Sequence, residues 1–410
     1  MRKISLHSLV IIVGPTTQSK RDLIAAKFNE YEVVSADGIR FELLGDGGRT
    51  DLADVIFREL YRRVTLKLEL GERVVVDAPS LRSKDRIGLA EIGLKIAAPV
   101  YYVVVASDCS NLDESLQYQE NLFNVGESEI LRGDWVANVI DTRVEDFAVV
   151  SKPAADAMLG FIQKLGFRGV MVVGDVHGMS EALMSTIEWS SMRNLFIIFL
   201  GDIVDYGPDS IGCVNRIYEL VMRGRAVLTI GNHERKIERW LEQSKKGDIR
   251  IRISEGNKTT IRAIQSLNPE DRKKFEAKFK ALLHSARHHW IVGNTIFAHA
   301  GAEPEMFQMY TPRLFNKLES IALFGEIDTT VKNNGGSPPM LYNWVDRIPL
   351  DHQAIVGHVI RNTIKPVQVE GELGGRAVFM DTGSGKGGRL TSADLLFEGN
   401  TLLIKSFTSH

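Results

Sequence analysis

The sequence has little cysteine, no long apolar run and almost no net charge. Its 410 residues include two cysteines, Cys109 and Cys213, which lack the CxxC or Cys/His spacing of a zinc finger or redox pair. We therefore expect reduced thiols in a cytoplasmic protein rather than a disulfide framework. No run approaches the roughly 18 apolar residues that a membrane-spanning helix requires. With 50 Lys and Arg against 52 Asp and Glu, a uniformly basic surface for nucleic acid is excluded.

Short apolar runs alternate with longer amphipathic stretches along the whole chain. Hydrophobic residues make up 44% of it, as in an ordinary globular protein. Continuous Val/Ile/Leu runs bounded by Gly or Asp are typical of strands buried on both faces, so we expect an α/β fold in each half. At about 150 residues per domain, the length predicts a first domain at 1–150, a linker at 151–167 and a second domain at 168–410.

Residues 239–287 carry a local surplus of positive charge, with 13 Lys and Arg against 6 Asp and Glu. The stretch also contains helix signals, since Asn268 can cap a helix whose apolar face holds Phe275, Phe279 and Leu282. Such a surplus is either a solvated helix face or a basic helical insert that contacts phosphate groups. The sequence leaves both interpretations open.

Five segments of the second half share one pattern, in which an apolar run is followed by glycine next to aspartate, asparagine or histidine. They are GDVHG at 174–178, GDIVD at 201–205, GNHE at 231–234, HAG at 299–301 and GH at 357–358. Ligands of open α/β folds bind at the carboxyl ends of strands, where side chains distant in sequence can meet. One such motif alone is more often a helix cap or a packed histidine, but five together predict a common site.

Six side chains in these segments have the oxygen and nitrogen donors of a two-metal site. Asp175 and His177 lie two residues apart, so in an extended segment both point the same way and can hold one ion. Asp202 can bridge to a second ion. The second ion would also be coordinated by one neutral oxygen and two imidazoles, which belong to Asn232, His299 and His358. Manganese suits such mixed donors, with iron, nickel or zinc as alternatives, and two ions about 4 Å apart would clamp a phosphate and activate water.

On these motifs, residues 168–405 resemble the calcineurin-like metallophosphoesterases, in the branch with protein phosphatases and diadenosine tetraphosphatases. The resemblance implies an α/β/β/α domain that hydrolyses phosphoesters with two divalent metal ions. It also implies that His233 acts near the leaving group and is oriented by Asp205. This role is chemically sensible because a leaving alkoxide needs a proton and histidine titrates near neutrality.

The chain departs from these relatives where they carry phosphate-clamping arginines. Relatives commonly read GDxVDRG, whereas this chain has Tyr206 at the arginine position, and Thr229 and Ile230 precede GNHE where protein phosphatases carry an arginine. The departures weaken the protein phosphatase interpretation. The arginines that could substitute are Arg235, Arg361 and Arg389.

The first domain resembles the P-loop polynucleotide kinases in a degenerate form. An apolar run leads into GPTTQSKR at 14–21, close to the GxxxxGK[ST] loop whose backbone N–H groups wrap phosphates. The second glycine and the hydroxyl residue of that loop are replaced by Ser19 and Arg21. The resemblance implies that Gly14 and Lys20 bind ATP or GTP with magnesium, and that Asp37 accepts the proton of an attacking hydroxyl.

A kinase-like domain followed by a phosphoesterase resembles the bacterial and phage polynucleotide kinase-phosphatases. This implies hydrolysis of 3′-phosphates or 2′,3′-cyclic phosphates at nucleic-acid ends, which the basic insert would contact. The alternative is a serine/threonine protein phosphatase or a dinucleoside polyphosphate hydrolase. A further alternative is a non-catalytic protein that binds nucleotide or nucleic acid, which fits the altered P-loop but not a complete set of six metal ligands. Kinase activity and the oligomeric state are left open.

Overall fold

The computed structural model describes residues 2–5, 7–45, 52–105, 114–135, 137–149, 157–307, 312–328 and 339–410. Cys109 and residues 151–156 of the expected linker lie outside these described residues. The chain divides into two compact units, Met1–Ala157 and Met158–His410, and the division lies within the stretch expected to be a linker. In the described ranges, no helix is both long and apolar enough to cross a bilayer.

The first unit alternates strands with helices. In chain order its elements are β1 (Arg2–Ile4), β2 (Leu9–Val13), α1 (Gln18–Lys27), β3 (Val33–Ser35), α2 (Ala36–Leu44), α3 (Ala53–Glu69), β4 (Val74–Asp77), α4 (Ser83–Lys95), β5 (Val100–Val104), α5 (Glu114–Leu131), β6 (Asn138–Asp141) and β7 (Phe147–Val149), with 3-10 turns at Glu30–Glu32 and Gly133–Trp135. Five strands form a parallel sheet in the order β3-β4-β2-β5-β6, while β1 pairs with β7. All five residues of β2 are buried, because a central parallel strand is covered on both faces.

The second unit contains the remaining elements. They are α6 (Ala157–Lys164), β8 (Gly169–Val173), α7 (Ser180–Arg193), β9 (Phe196–Phe199), α8 (Ser210–Met222), β10 (Ala226–Leu228), α9 (Asn232–Lys246), α10 (Glu255–Ser266), α11 (Pro269–Ser285), β11 (His289–Val292), β12 (Thr295–Ala298), a 3-10 turn (Pro304–Phe307), α12 (Pro312–Phe324), β13 (Glu326–Ile327), β14 (Met340–Leu341), α13 (Asn343–Asp346), β15 (Gln353–Val356), β16 (Val367–Glu370), β17 (Arg376–Phe379), β18 (Thr391–Glu398) and β19 (Thr401–Ser409).

Ten of these strands form two five-stranded mixed sheets, and β13 pairs with β14. The first has the order β10-β9-β8-β18-β19, in which β8, β9 and β10 are parallel. The second has the order β11-β12-β15-β17-β16, in which β12, β15 and β17 are parallel. Every residue of β8 and β9 is buried, and successive side chains point to opposite faces, so both faces of that sheet are covered. The fold is therefore mixed α/β, as the sequence predicts.

The basic stretch at 239–287 is helical, but its elements begin earlier than the charge pattern suggests. Arg239 lies in the middle of α9, which starts directly at the GNHE segment. The helix is capped at its carboxyl end by Gly247, which has the left-handed conformation. Helix α11 confirms the predicted cap: Asn268 accepts a hydrogen bond from the backbone N–H of Asp271. Its buried side chains are Phe275, Phe279, Leu282 and Leu283, which join the core of the first mixed sheet.

Candidate metal centre

Six polar side chains lie just beyond the carboxyl ends of six parallel strands. Three follow the first mixed sheet: Asp175 comes after β8, Asp202 after β9 and Asn232 after β10. Three follow the second mixed sheet: His299 comes after β12, His358 after β15 and Asp381 after β17. Because parallel strands end at one edge of each sheet, the topology brings these six side chains to a common rim.

Asp202 lies between two groups of donors. Its Oδ2 is 3.9 Å from Nε2 of His177, and that same nitrogen is 3.9 Å from Oδ2 of Asp175. On the other side, Oδ1 of Asp202 is 3.4 Å from Nε2 of His299, which in turn is 2.9 Å from Oδ1 of Asn232. One carboxylate thus faces both halves of the candidate centre, as a bridging ligand must.

His358 belongs to the second group through its ring, and its backbone contacts Asp175 of the first group. Its backbone N–H donates to both carboxylate oxygens of Asp175, at 3.0 and 3.2 Å. Its imidazole centroid lies 4.9 Å from that of His299. Donor atoms of Asp202, His299 and His358 all lie within 4.8 Å of one another, as do those of His177, Asp202 and His233. The structure therefore brings all six predicted ligands together.

The Nδ1 hydrogen bonds of the two inner imidazoles turn Nε2 of each ring toward the centre. Nδ1 of His177 donates to the carbonyl of Val204 at 2.9 Å, and Nδ1 of His299 donates to the carbonyl of Leu200 at 2.7 Å. In the neutral ring of His177 this fixes the tautomer with an unprotonated Nε2 aimed into the centre, whereas Nε2 of His299 faces Oδ1 of Asn232 at 2.9 Å. Among the described residues, Nε2 of His177 is buried without a hydrogen-bond partner. The donor set and this unpartnered atom fit a divalent cation.

The electrostatics of the centre also favour bound positive charge. Burial lowers the pKa of His177 and of His358 to about 3, so both rings are neutral and able to ligate. Burial opposes ionisation of Asp202, but the surrounding histidines outweigh it and hold its pKa well below the usual range. Burial likewise acts against a charged His299, yet Asp202 and Asp175 raise its pKa to about 10. The buried carboxylates therefore need a compensating cation, which is either a proton or a metal ion.

His233 lies beside this group and is held by Asp205, as the resemblance implied. Its Nδ1 donates to Oδ2 of Asp205 at 2.5 Å, which turns Nε2 toward the centre, 3.8 Å from Oδ2 of Asp202. Burial lowers the pKa of His233, but Asp202 and Asp205 outweigh that effect and raise it. The ring can therefore carry a proton at Nε2 that faces the candidate metal ligands.

Helix α10 supports Asp205, which is a contribution that sequence reasoning missed. Nδ2 of Asn257 donates to Oδ2 of Asp205, and the backbone N–H of Asp205 donates to the hydroxyl oxygens of Ser210 and Thr260, at 3.0 and 2.9 Å. Thr260 and Asn257 are fully buried. The basic stretch at 239–287 thus helps to orient His233, whatever its surface charges bind. Only the three-dimensional fold reveals this role.

Glu234 is a second residue whose role the sequence did not indicate, although it lies in the GNHE motif. Its carboxylate is fully buried and accepts hydrogen bonds from the backbone N–H groups of Asp202, Ile203 and Gly231, at 2.8, 2.8 and 3.0 Å. These bonds join the loop after β9 to the start of α9. Glu234 therefore sets the position of Asp202 without itself facing a ligand.

Five residues of the site have the left-handed backbone conformation, in which residues other than glycine are uncommon. They are His177, Asp202, Asp205, Tyr206 and His358, with φ between 47° and 75°. Such backbone costs on the order of 1 kcal/mol or more per residue, and it persists only where the surroundings impose it. The hydrogen bonds described above, to Glu234, Ser210 and Asp175, provide that constraint.

The three arginines considered as substitutes for a phosphate clamp have different surroundings. Arg361 stacks on Tyr342 and Phe379, with its guanidinium carbon 3.9 and 4.4 Å from the ring centroids. Arg235 forms an ion pair of 2.9 Å with Glu238 in the next turn of α9. Arg389 is exposed. Arg361 and Arg235 are thus engaged in contacts within the protein.

The three residues predicted to bind nucleotide lie on successive segments of the first unit. Gly14 directly follows β2, Lys20 lies in the first turn of α1, and Asp37 lies exposed in the first turn of α2. The side chain of Lys20 is 1% exposed; its amino group donates to the carbonyl of Ala78 at 2.6 Å and lies 3.4 Å from Asp77. The amino group of Lys20 is thus held by the segment at the end of β4, while its backbone N–H donates to Oγ1 of Thr17 at 3.4 Å.

Comparison with known proteins identifies the class of the second unit. Residues 169–359 match the family described as calcineurin-like phosphoesterase. The chain therefore contains a calcineurin-like metallophosphoesterase domain, which is a metal-dependent phosphoesterase, and this family implies two divalent metal ions. The family match includes five of the six parallel strands whose ends form the candidate centre.

Two curated relatives and one solved structure illustrate the similarity. The chain is 27% identical over 233 residues to a bis(5′-nucleosyl)-tetraphosphatase PrpE (asymmetrical) of Halalkalibacterium halodurans, which covers 54% of this chain and 87% of the relative. It is 29% identical to the protein of the same name from a Geobacillus species, with 54% and 88% covered. A metallophosphoesterase from Sphaerobacter thermophilus aligns with 18% identity and a TM-score of 0.32, over 55% of this chain and 82% of that one.

Proposed function

We propose that the second unit hydrolyses dinucleoside polyphosphates at a centre of two divalent cations, with manganese as the expected metal. The observation that carries the proposed chemistry is the position of Asp202, whose two oxygens face separate donor groups at 3.9 and 3.4 Å. Asp175 and His177 would hold one ion. The donors of the second ion would be Asn232, His299 and His358. When bound, the two ions would activate water and neutralise charge on the phosphate.

The chain's own residues would then position the reactants and supply the proton. Glu234 holds the backbone of Asp202, so that both its oxygens stay aimed at the two donor groups. Water adds to phosphorus, and the bond from phosphorus to the leaving oxygen breaks. Nε2 of His233 gives its proton to that oxygen, while Asp205 orients the ring and stabilises its charge. We expect this proton to matter most when the leaving group is a poor one.

The nucleotide substrate is supported by the relatives and by one nearby cation. Both relatives named above are bis(5′-nucleosyl)-tetraphosphatases. Lys236 lies three residues after His233 in α9 and so on the same helix face. Burial lowers the pKa of Lys236, whereas the nearby Asp205 acts in the opposite direction. A cation on the leaving-group side suits a leaving group that carries several phosphates.

A substrate panel with the manganese-loaded protein tests this proposal. We expect diadenosine tetraphosphate to be cleaved to ATP and AMP with a kcat/KM about 100-fold or more above that of a phosphopeptide or a 3′-phosphorylated oligonucleotide, since several phosphate contacts contribute. Anion-exchange chromatography of the products distinguishes ATP plus AMP from two ADP. If the oligonucleotide or the phosphopeptide is the better substrate, the proposed substrate class is wrong.

The second candidate substrate is a nucleic-acid end with a 3′-phosphate or a 2′,3′-cyclic phosphate. It is favoured by the surplus of positive charge at 239–287. Several of these charges pair with acids of their own helix, as Lys258 does with Glu255 and Lys274 with Glu270. Oligonucleotide binding that weakens steeply with salt, and that is lost on neutralising Arg250, Arg252 and Lys273, would support this candidate.

For the first unit we propose binding of ATP or GTP with magnesium near Gly14, Lys20 and Asp37. Support comes from its strand–loop–helix order, in which β2 leads through residues 14–17 into α1. Binding would require Lys20 to exchange its contact with Ala78 for a phosphate oxygen. Calorimetric titration of the intact protein with ATP and magnesium, before and after Lys20→Met, tests this, and transfer to a 5′-hydroxyl oligonucleotide tests kinase activity.

A further inference from the structure

One cation beside the candidate metal centre has no part in the chemistry described so far. Lys386 lies in the loop between β17 and β18, with its amino nitrogen 4.6 Å from the ring centroid of Tyr206. That ring in turn packs against two imidazoles of the centre, 4.8 Å from His177 and 5.4 Å from His233 between centroids. Tyr206 thus connects the lysine to a candidate metal ligand and to the candidate acid.

The loop that carries Lys386 is fixed close to the centre. Ser384 donates to the carbonyl of Val176 at 3.1 Å, and the backbone N–H of Gly383 donates to Asp381 at 2.8 Å. Gly385 has φ +71°, and a Cβ there would lie 2.9 Å from Cβ of His177 and 3.2 Å from Cβ of Tyr206. Only glycine permits this approach, so the following residue is held at the edge of the site.

Tyr206 is seated just as closely from the other side. Its backbone N–H donates to the carbonyl of Gly256 at 3.2 Å. A Cβ at Gly256 would lie 2.7 Å from the tyrosine ring, so the ring rests directly on the first turn of α10. With 37% of its surface exposed, Tyr206 offers one open face, and Lys386 lies over this ring. The ring therefore supports the ammonium group through a cation–π contact.

The side chain of Lys386 is exposed to solvent, and among the ion pairs of the described residues no carboxylate pairs with it. Its loop lies against a candidate metal ligand, since a Cβ at the neighbouring Gly385 would come within 2.9 Å of Cβ of His177. Lys386 is thus an exposed, unpaired cation at the edge of the centre.

We propose that Lys386 binds a non-bridging oxygen of the phosphoryl group being transferred, and so supplies a cationic clamp in place of the arginine that relatives carry where this chain has Tyr206. The inference rests on the proposed function of the same site. A phosphoryl group held at the centre would lie near the loop that carries Lys386, because Gly385 of that loop packs against His177 and Tyr206. The lysine would neutralise one of the phosphoryl oxygens both in the bound substrate and in the product phosphate. Its ligand is therefore a terminal or bridging phosphate, and not the nucleoside.

Four purified proteins, each loaded with manganese, test the assignment: wild type, Lys386→Gln, Lys386→Arg and Lys405→Gln. The last is a matched control, because Lys405 is an exposed lysine on β19, an edge strand of the first mixed sheet. The measurements are kcat and KM for diadenosine tetraphosphate, and the competitive inhibition constant of inorganic phosphate. Bound manganese is determined for each protein.

For Lys386→Gln we expect the inhibition constant of phosphate to rise, and kcat/KM to fall, on the order of 10- to 100-fold, as for loss of one charge-assisted hydrogen bond. Lys386→Arg should retain most of the phosphate affinity and of kcat/KM, and Lys405→Gln should match wild type. Bound manganese should be equal in all four.

Two results would overturn the inference. One is an inhibition constant for phosphate that Lys386→Gln leaves unchanged, because the lysine would then bind no phosphate. The other is a loss of bound manganese in that variant, because the lysine would then act through the centre. Both differ from failure of the proposed function, in which wild-type protein hydrolyses no phosphate substrate.

Discussion

The two units both place a lysine near the ends of parallel strands, but the surroundings of the two lysines differ. Lys20 of the first unit is buried, and its amino group donates to the carbonyl of Ala78 beside Asp77. Lys386 of the second unit is exposed and lies over an aromatic ring. The first cation is already satisfied by protein groups, whereas the second remains available to an anion.

The unpaired buried groups of the two units are arranged differently. Nε2 of His177, Oδ1 of Asp205 and Oδ2 of Asp381 have no hydrogen-bond partner among the described residues, and all three belong to the candidate centre. Near Lys20 one such atom occurs, Oγ of Ser80, while Asp77 accepts a hydrogen bond from Ser35 at 3.4 Å. Leaving a buried polar group unpaired costs about 1 to 3 kcal/mol. A cluster of unpaired groups around one site is therefore expected where a ligand completes the bonding.

The largest difference between the two units in their effect on phosphoesterase activity should appear when one carboxylate is neutralised in each. Asp202→Asn removes the charge shared by the two donor groups, so we expect kcat/KM for the phosphoesterase to fall about 1,000-fold or more. Asp77→Asn in the first unit should leave this value unchanged. Steady-state kinetics and metal analysis check both variants. Equal losses in the two variants would show that the units do not act separately.

Removing the candidate acid should have a smaller effect that depends on the leaving group. His233→Ala should lower kcat about 100-fold for a phosphomonoester with an alkoxide leaving group, because the leaving oxygen no longer receives a proton. For p-nitrophenyl phosphate, whose leaving group needs no proton, the loss should be much smaller. A uniform loss for both substrates would instead point to a role of His233 in holding metal.

Glu234→Gln should weaken the centre without touching any ligand. The amide can accept fewer of the backbone N–H groups around Asp202, so we expect metal affinity to fall about 10-fold. Titration with manganese, followed by activity and by the melting temperature, measures this. Activity at saturating metal should return close to the wild-type value, and it would stay low if Glu234 took part in the chemistry.

The smallest effect on activity should come from Lys20→Met. This change leaves the carbonyl of Ala78 unpaired, so the free energy of unfolding of the first unit should fall by about 1 to 3 kcal/mol. Phosphoesterase kinetics should not change. Chemical denaturation followed by circular dichroism checks the first part. If the first unit is instead more stable after the change, the buried charge of Lys20 destabilises the fold, as expected of a residue that serves to bind a ligand.

Much of the candidate centre could be predicted because its chemistry is local in sequence. Each motif directly follows an apolar strand, so the strand-end rule was enough to group Asp175, Asp202 and His299. The capping pattern at Asn268 predicted the start of α11 for the same reason, since both partners lie within one helical turn.

The supporting residues could not be predicted because their partners are remote in sequence. Asn257 contacts Asp205 across 52 residues, and Lys386 contacts Tyr206 across a still longer interval. No periodicity or spacing connects such pairs. The loop of Lys386 lies between β17 and β18, and β18 returns to pair with β8 from far along the chain. The charge surplus at 239–287 drew attention to the surface of these helices, whereas their buried face orients the candidate acid.

The left-handed backbone at five positions of the centre sets stability against catalysis. At His177, Asp202 and His358, glycine would adopt the observed φ without steric cost, and would thereby relieve strain while abolishing ligation. Directed evolution of this chain for heat resistance alone should accordingly select inactive proteins with a less strained backbone. Selection for a more stable enzyme would therefore have to measure the turnover rate and the melting temperature together.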